Sequence, residues 1–529
     1  MRLDPVTLEV FNHRFSAIAE EMGVALGRSA FSPNIKERRD FSCAVFDGSG
    51  AMVAQAAHIP VHLGSTPLSV RAAIDAISMT PGDVVVLNDP FAGGTHLPDV
   101  TVVAPVFVPP RRQPFAYVAN RAHHADIGGS TPGSMPLATE IYQEGLRLPP
   151  VRIMANGRLV DDVLRLFIAN TRVGDERRGD LLAQLAALRL GGRRIRELVD
   201  AVGHQPIADA MRALQHYSAR LMTAALRRVP AGNYAATDWM DDDGFGAAHI
   251  PIRVRVRIGG GRALVDFTGT APQVAGGINA NLPVTIAAVL YVFQSLAGSE
   301  IPANAGLMKP IRIVAPLGTI VNARFPAAVA GGNVETSQRI VDVLWKALAA
   351  AVPEQAPAAS CGSMNNVAIG GWDAVRRREF AYYETIAGGA GGGPIRAGAS
   401  GIHTHMTNTL NTPIEALEAN YPLRVTRYSL RRRSGGRGRH PGGDGIVRET
   451  EFLGSMQLTL LTERRTTRPY GRAGGADGAP GENFLRERGR LRKLDGKISR
   501  TVKAGQCLQI RTPGGGGWGR PLVRRPPGR

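Results

Sequence analysis

Between Val84 and Ile127 the sequence collects three histidines and three carboxylates around turns. An apolar run, Val84 to Leu87, breaks into Asn88-Asp89-Pro90-Phe91-Ala92-Gly93-Gly94-Thr95-His96-Leu97-Pro98-Asp99, and a second apolar run follows from Val100 to Phe107. After a proline-rich turn comes Phe115-Ala116-Tyr117-Val118-Ala119-Asn120-Arg121-Ala122-His123-His124-Ala125-Asp126. Imidazoles and carboxylates carried on loops at the ends of rigid strands are how a divalent metal site is built when cysteine takes no part. Such donors suit zinc, manganese or iron and do not separate them.

Other polar groups could join this centre. Asp40, beside Arg38 and Arg39, is either an arginine-paired structural acid or a ligand. His58 and His62 are four apart, but Pro60 between them argues against a helix, so each reads as a turn or supporting histidine. The loop Gly128-Gly129-Ser130-Thr131-Pro132-Gly133-Ser134 is either a connector or a place where backbone amides meet an anion, with Ser130 and Thr131 beside it. Glu140 and Glu144 follow, and either could serve as general base. Far along the chain, His403 and His405 would share one face of a strand and could clamp a metal or a substrate, or form a polar strand-end network.

The elements that must position these groups are mixed. Asp4-Pro5 starts an amphipathic helix over Thr7 to Leu26, and short strands flank Asp47-Gly48-Ser49-Gly50 as a hairpin. Helices are expected at Pro67 to Ala76, Asp161 to Phe167 and Arg177 to Val202, the last continuing through Ile207 to Arg228. Alternating strands follow at Ile250 to Ile258 and Arg262 to Phe267 after an acidic turn, Asp238 to Asp243, and helices at Thr285 to Ala297 and Ser337 to Ala351. From about Tyr421 the chain is rich in strands and arginine. The expected class is α+β, multi-domain, with a β-rich core, a strand-end metal site and flanking helices. Composition shifts suggest an N-terminal metal-site domain over 1–230, a central α+β domain over 231–415, a β-rich domain over 416–520 and a disordered basic tail over 521–529.

With 529 residues, 44% hydrophobic and 20% charged, the chain has ordinary globular composition and room for several domains. A formal charge of +19 raises nucleic acid or an anionic membrane as partners. The arginines are scattered, however, and no recognition helix or aromatic-interleaved basic stripe accompanies them, so neither is expected. No stretch is apolar enough to span a bilayer, and the first residues lack the pattern of a signal peptide. Cys43, Cys361 and Cys507 are odd in number and far apart, which suits a reducing compartment, and the expectation is cytoplasmic.

Several long blocks, in order, resemble the hydantoinase B family. They are Asp4-Pro5-Val6-Thr7-Leu8-Glu9-Val10, Lys36-Glu37-Arg38-Arg39-Asp40-Phe41-Ser42-Cys43-Ala44, and Asn88-Asp89-Pro90 with Gly93 to Asp99. To these are added Ala122-His123-His124-Ala125-Asp126-Ile127-Gly128-Gly129, Tyr383 to Gly389, His403 to Thr409 and the closing Gly514-Gly515-Gly516-Gly517-Trp518. The likeness spans essentially the whole chain. It implies the B-type component of an ATP-dependent cyclic-amide hydrolase of the N-methylhydantoinase or 5-oxoprolinase type. In that family a separate A-type ATPase subunit phosphorylates the substrate, in an A2B2-like heteromer, and the B-type component carries a divalent metal. ATP would then be used by the partner, and the chain lacks a P-loop ending. On this reading Asp40, His96 and His123 are ligands, with Asp126 next and Asp99 orienting His96. His124 supports His123 from the other strand face or contacts substrate, and His58, His403 and His405 bind an anionic intermediate. Two other readings are an alpha-type subunit of a ketone carboxylase and a non-catalytic docking partner of the ATPase.

Overall fold

The computed structural model describes residues 4–56, 59–110, 112–298 and 301–521. The N-terminal helix α1, Pro5–Ser29, opens as its sequence dictates: the Asp4 carboxylate accepts from the amides of Val6 and Thr7, both at 3.0 Å, and Pro5 occupies the first turn, where no donor is needed. Its Phe15, Ile18, Met22 and Leu26 are buried. A short α2, Pro33–Lys36, leads into a seven-stranded antiparallel sheet.

That sheet contains β1 (Phe41–Asp47), β2 (Met52–Gln55), β3 (Val84–Leu87), β4 (Asp99–Val106), β5 (Ala116–His123), β6 (Val151–Ala155) and β7 (Arg158–Leu159), in the order β2-β1-β5-β4-β3-β6-β7. Both faces are covered, which is why its strands read as near-continuous apolar runs. Helix α3, Pro60–Ala76, follows β2. Pro60 begins this helix rather than preventing it, because a first-turn residue has no intrahelical N–H to lose. The helix therefore starts seven residues before Pro67, which lies inside it. Helices α4 (Asp161–Ala169), α5 (Gly174–Val202) and α6 (His204–Arg228) come next. The long helix expected through Arg228 is broken at Gly203, whose φ of +100° lies outside helical space. One face of the sheet (Val45, Val86, Val102 and Val118) shares a core with α1 and α5, while the other (Phe46, Leu87, Val103 and Ala119) runs into a core built by the next unit.

That unit is a four-stranded sheet of β8 (Gly232–Asp242), β9 (Ala248–Gly259), β10 (Arg262–Asp266) and β11 (Ile311–Val314), with helix α7 (Leu282–Ala297) between its last strands. Strand β9 shows the alternation its sequence carries: Ile250, Ile252, Val254, Val256 and Ile258 are buried, and Arg253, Arg255 and Arg257 are exposed. A π-helical turn, Gly332–Thr336, opens directly into α8, Ser337–Leu348.

The remaining elements are β12 (Asn366–Asp373), β13 (Arg378–Glu384), α9 (Ile414–Asn420), β14 (Leu423–Arg431), β15 (Gly445–Phe452), β16 (Met456–Leu461), β17 (Glu482–Glu487), β18 (Arg490–Leu494), β19 (Lys497–Val502) and β20 (Cys507–Arg511). They form two sheets, β13-β12-β16-β19 and β14-β15-β20-β17-β18. The first joins strands from both sides of residue 415, so the composition shift there marks no break in hydrogen bonding. The expected class, mixed α and β with several sheets and flanking helices, is the observed one. Residues 522–529 of the expected basic tail lie outside the described residues.

Between these sheets, glycine-rich segments near 389–398, 434–443, 470–478 and 513–519 pack backbone against backbone, joined by the stretch 358–361. Gly392 donates to the Gly516 carbonyl at 2.8 Å, Gly516 to Ala359 at 2.8 Å, Gly515 to Gly443 at 2.9 Å and Gly443 to Ala390 at 2.8 Å. A Cβ on Gly516 would overlap the Tyr470 carbonyl, and one on Gly443 the Ala399 carbonyl. The closing Gly-rich motif is therefore a packing element. Gly516→Ala is expected to destabilise the protein by about 3 kcal/mol, the upper range for overpacking a close-fitted interior. Urea unfolding against the wild type measures this, and a change below about 0.5 kcal/mol would contradict it.

Candidate metal centre

Strand register builds the centre. In the antiparallel pairing of β4 with β5, Asp99 at the start of one lies opposite His123 at the end of the other. On the other side of β5, Phe41 pairs with Ala122, and the His123 amide donates to the Asp40 carbonyl at 2.9 Å. Asp40, His123 and Asp99 are thus side by side at one end of three adjacent strands. The turn before β4 adds His96: the Asp99 amide donates to the His96 carbonyl at 3.1 Å, and His96 Nε2 lies 3.4 Å from Asp99 Oδ1.

The potential ligand atoms of His96, Asp99 and His123 all fall within 4.8 Å of one another, and all three residues are buried. The rings of His96 and His123 are 5.0 Å apart between centroids. Both nitrogens of His96, Nε2 of His123 and Oδ1 of Asp99 have no hydrogen-bond partner among the described residues. Leaving one buried polar atom unpaired costs about 1–3 kcal/mol, so several converging on one point call for something to bind. A divalent cation fits that demand with one carboxylate and two imidazoles.

Electrostatics agrees with a ligand set. Burial opposes the Asp99 carboxylate, yet His96 and His62 beside it outweigh burial and hold it well below its usual range. Burial, reinforced by His96, pushes His123 well below the ordinary imidazole value, so the ring is neutral. An ionised carboxylate and a neutral imidazole are the forms that bind metal. Supporting contacts fix the geometry. The Thr95 hydroxyl donates to Asp99 Oδ2 at 2.5 Å. His62, from the first turn of α3, places Nε2 3.5 Å from Asp99 Oδ1 and Nδ1 2.9 Å from the Ser42 hydroxyl. His123 Nδ1 lies 3.2 Å from the Asn34 side-chain amide. Its ring stacks on Tyr383 at 4.7 Å and 8°, with the Arg38 guanidinium 5.2 Å from the Tyr383 centroid.

The other sequence candidates are distributed as follows. Asp40 is buried at the edge of the cluster, 3.8 Å from Arg38, and its carboxyl is raised by burial against the pull of Arg38, His62 and His96. Asp126 lies outside the cluster: its carboxylate accepts from the amides of Gly128, Gly133 and Arg172 and pairs with the Arg172 guanidinium at 3.1 Å. Those bonds occupy loop amides that the sequence offers to an anion, and the Ser130 amide donates to Gln143 O at 2.8 Å. Ser130 itself is exposed, while the Thr131 hydroxyl oxygen is buried without a partner among the described residues. His124 points away from His123, because consecutive strand residues face opposite ways. It meets Gln184 of α5 at 3.0 Å and the Phe167 edge, and burial lowers it to about 4.

His403 and His405 do not share a strand face. The segment is a turn with His405 in left-handed space at φ +58°. His405 contacts Asp342 at 3.2 Å, whereas His403 is half-buried near Arg38 and Glu384, and loss of solvent around its ring pushes it down to about 4. Glu140 is exposed, bridged through its backbone to Ala327. Glu144 is fully buried, and one oxygen takes the amides of Val329 and Ala330 at 2.7 and 2.8 Å, where the helical segment ending in α8 begins. His58 lies outside the described residues. Sequence reasoning undervalues His62, because Pro60 reads there as a breaker rather than a helix start. Tyr383 carries no signal of its own beyond its motif.

The sequence profile of the family described as hydantoinase B/oxoprolinase matches residues 4–521. A 5-oxoprolinase of Arabidopsis thaliana is 40% identical over 98% of this chain, which spans only 42% of that protein's length. A protein of a Pseudomonas strain, named as the B-type component of a D-/L-hydantoinase, is 33% identical over 99% of this chain and 91% of its own. Among solved structures, an ATP-dependent caprolactamase of Pseudomonas jessenii superposes with a TM-score of 0.91 at 29% identity, covering 99% of this chain and 93% of that one. An acetone carboxylase shares the fold, with a TM-score of 0.90 at 17% identity over 99% of this chain and 76% of that one.

Two measurements follow from the geometry. Asp99→Ala is expected to lower affinity for a divalent metal by at least 100-fold and Asp126→Ala by less than 3-fold, read by titration with metal analysis; the reverse order would remove Asp99 from the ligand set. Burial also pushes the Glu144 carboxyl up to about 8. The folded state therefore holds a proton that the unfolded chain releases near pH 4.5, and stability falls as pH rises from about 4.5 to about 8, by up to ~1.4 kcal/mol per unit. Glu144→Gln, which mimics the neutral acid, is expected to match wild type at pH 5 and exceed it at pH 8 in urea unfolding.

Proposed function

The chain belongs to the hydantoinase B/oxoprolinase family, and from that premise we propose that it is the metal-bearing subunit of an ATP-dependent cyclic-amide hydrolase. The observation that carries the reading is the buried convergence of unpartnered ligand atoms on His96, Asp99 and His123. The names of its relatives supply the rest: a hydantoinase component designated B, and a caprolactamase designated ATP-dependent.

His96, Asp99 and His123 would hold the ion, with Asp40 adding an oxygen donor from the β1 side. When bound, a divalent ion supplies water acidified toward neutrality and polarises a carbonyl oxygen. The chain's own residues do the positioning. Thr95 holds Asp99 Oδ2 while His62 stands 3.5 Å from Oδ1, Asn34 and Tyr383 hold the His123 ring, and His96, Asp99 and His123 are buried from bulk water. A cyclic amide is a poor electrophile, and phosphorylation of its carbonyl oxygen by a partner ATPase subunit would make the carbonyl carbon one that accepts water readily. Water adds to that carbon, the C–N bond breaks as the ring nitrogen takes up a proton, and the acyl phosphate so formed is hydrolysed by a second water to carboxylate and phosphate. The partner, an A2B2-like assembly and a cytoplasmic setting belong to the same proposal. Among the described residues no helix is long and apolar enough to cross a membrane.

The test is co-purification with an A-type ATPase subunit, followed by ATP-dependent turnover of hydantoins, 5-oxoproline, caprolactam and acetone. Ring opening of at least one amide is expected, with His96→Ala and His123→Ala each reducing it more than 100-fold and losing bound metal. Full metal retention in both variants rules the metal role out. Turnover of acetone alone would replace the hydrolase with a ketone carboxylase.

A further inference from the structure

Behind His123 a run of short contacts leads away from the cluster to a buried acid. The His123 ring lies parallel to Tyr383 at 4.7 Å. The Tyr383 hydroxyl donates to Asn366 Oδ1 at 2.7 Å, and Asn366 Nδ2 donates to Glu335 Oε1 at 2.6 Å. The same oxygen of Glu335 accepts from the Met364 amide at 3.0 Å. Asn366 Nδ2 also donates to the Leu461 carbonyl at 2.8 Å, so its amide orientation is fixed and only its Oδ1 is left to receive the phenol. All four side chains are buried. They come from four elements: β5, β13, β12 and the π-helical turn before α8.

Resting on the metal reading above, we propose that Glu335, Asn366 and Tyr383 are positioning residues that hold the His123 ring in its metal-binding orientation. A ring stacked on one face keeps only rotation within its own plane and sliding along the stack. Tyr383 limits the sliding only if it is itself tethered, and the hydroxyl bond to Asn366 is its tether. Asn366 in turn needs an acceptor for its second N–H, which Glu335 supplies. Arg38 closes the other side, donating to the Tyr383 carbonyl at 3.0 Å and to Asn34 Oδ1 at 3.1 Å, and Asn34 meets His123 Nδ1. Burial keeps Glu335 a neutral acid, its carboxyl pushed up to about 8, so no charge is needed for its role. The π-helical turn matters because it carries Glu335 out of the register of α8, and such turns recur at functional sites.

The experiment is titration of the metal-free full-length chain with cobalt(II), read by the visible absorption of the bound ion and by its dissociation constant. Glu335→Ala and Tyr383→Phe are expected to weaken cobalt binding by 10- to 100-fold and to alter the band shape, as loss of a group supporting a ligand does. Glu335→Gln, neutral and able to accept the same bonds, is expected to stay within 3-fold of wild type. Because Glu335→Ala opens a buried space, Tyr383→Phe, which keeps the stacked ring, guards against misfolding, with the thermal midpoint of the metal-free form as a check. If His123→Ala binds cobalt like wild type, the metal reading itself fails. If His123→Ala loses cobalt while Tyr383→Phe and Glu335→Ala keep wild-type affinity and spectrum, the positioning proposal alone is overturned. Glu335→Gln as weak as Glu335→Ala would also overturn it.

Discussion

A carboxylate stays ionised in a dry interior only when its surroundings repay the lost water, and in this protein that condition falls on Asp99. It sits at the first position of β4, with His96, His62 and Thr95 around its oxygens. Behind it lies Arg121, two residues before His123 on the same strand face and fully buried. The Arg121 donors go to Thr101, Ser65 and Ser69 rather than to an acid. Burial lowers it to about 10, so it keeps its charge at neutral pH, and Asp99 is the anion that supports it. Ser69 passes the constraint on by donating to the Gly93 carbonyl at 2.7 Å, in the loop that carries His96. One buried anion thus couples two strands, a helix and a loop.

The parts legible in the sequence are those where local chemistry and tertiary structure agree. The Asp4-Pro5 cap, the alternation of β9 and the apolar runs of β3 to β5 each need only a window of residues to be read. The gathering of histidines and acids at strand ends is legible for the same reason, since the strands that present them are contiguous. What is not legible depends on pairing register or on partners distant in the chain. Asp126 and Asp99 look alike in sequence, and only the opposition of Asp99 to His123 separates the acid facing the cluster from the one that ties down a glycine loop. Pro60 reads as a breaker and Pro67 as a helix start, yet the helix begins at Pro60, in the first turn where no donor is lost, and takes Pro67 into its interior. His403 and His405 diverge because His405 adopts a left-handed conformation that no spacing argument foresees.

The acidic stretch before β9 shows how tertiary context reassigns a motif. Asp241 is buried and accepts from the amides of Thr466 and Thr467 at 3.1 and 3.0 Å. Asp238 pairs with Arg464 at 2.8 Å, and Arg464 reaches Asp342 of α8 at 2.9 Å. Lys497 of β19 pairs with Glu463 at 2.6 Å, and Glu463 with Arg339 of α8 at 3.2 Å. Buried ion pairs add little net stability compared with apolar packing, but removing one partner strands the other at a cost of about 3–5 kcal/mol. Their effect here is to fix one alignment of the second sheet, α8 and the third sheet, and Glu335 lies on the same helical segment.

The glycine-rich packing between the C-terminal sheets has a consequence for assembly order. Its hydrogen bonds tie Ala359 and Gly392 to Gly516, residues separated by more than a hundred positions. Contacts of that sequence separation are slow to form because a long loop must close first. On a ribosome, the Gly392 amide and the Ala359 carbonyl, at the two sides of the segment 358–398, have to wait for residue 516 to be made before they find their partners. Tyr383 and Thr385, which touch Arg38 and His123, lie within that waiting segment. Whenever the N-terminal sheet forms, the wall behind its histidine is finished only after residue 516 has been made.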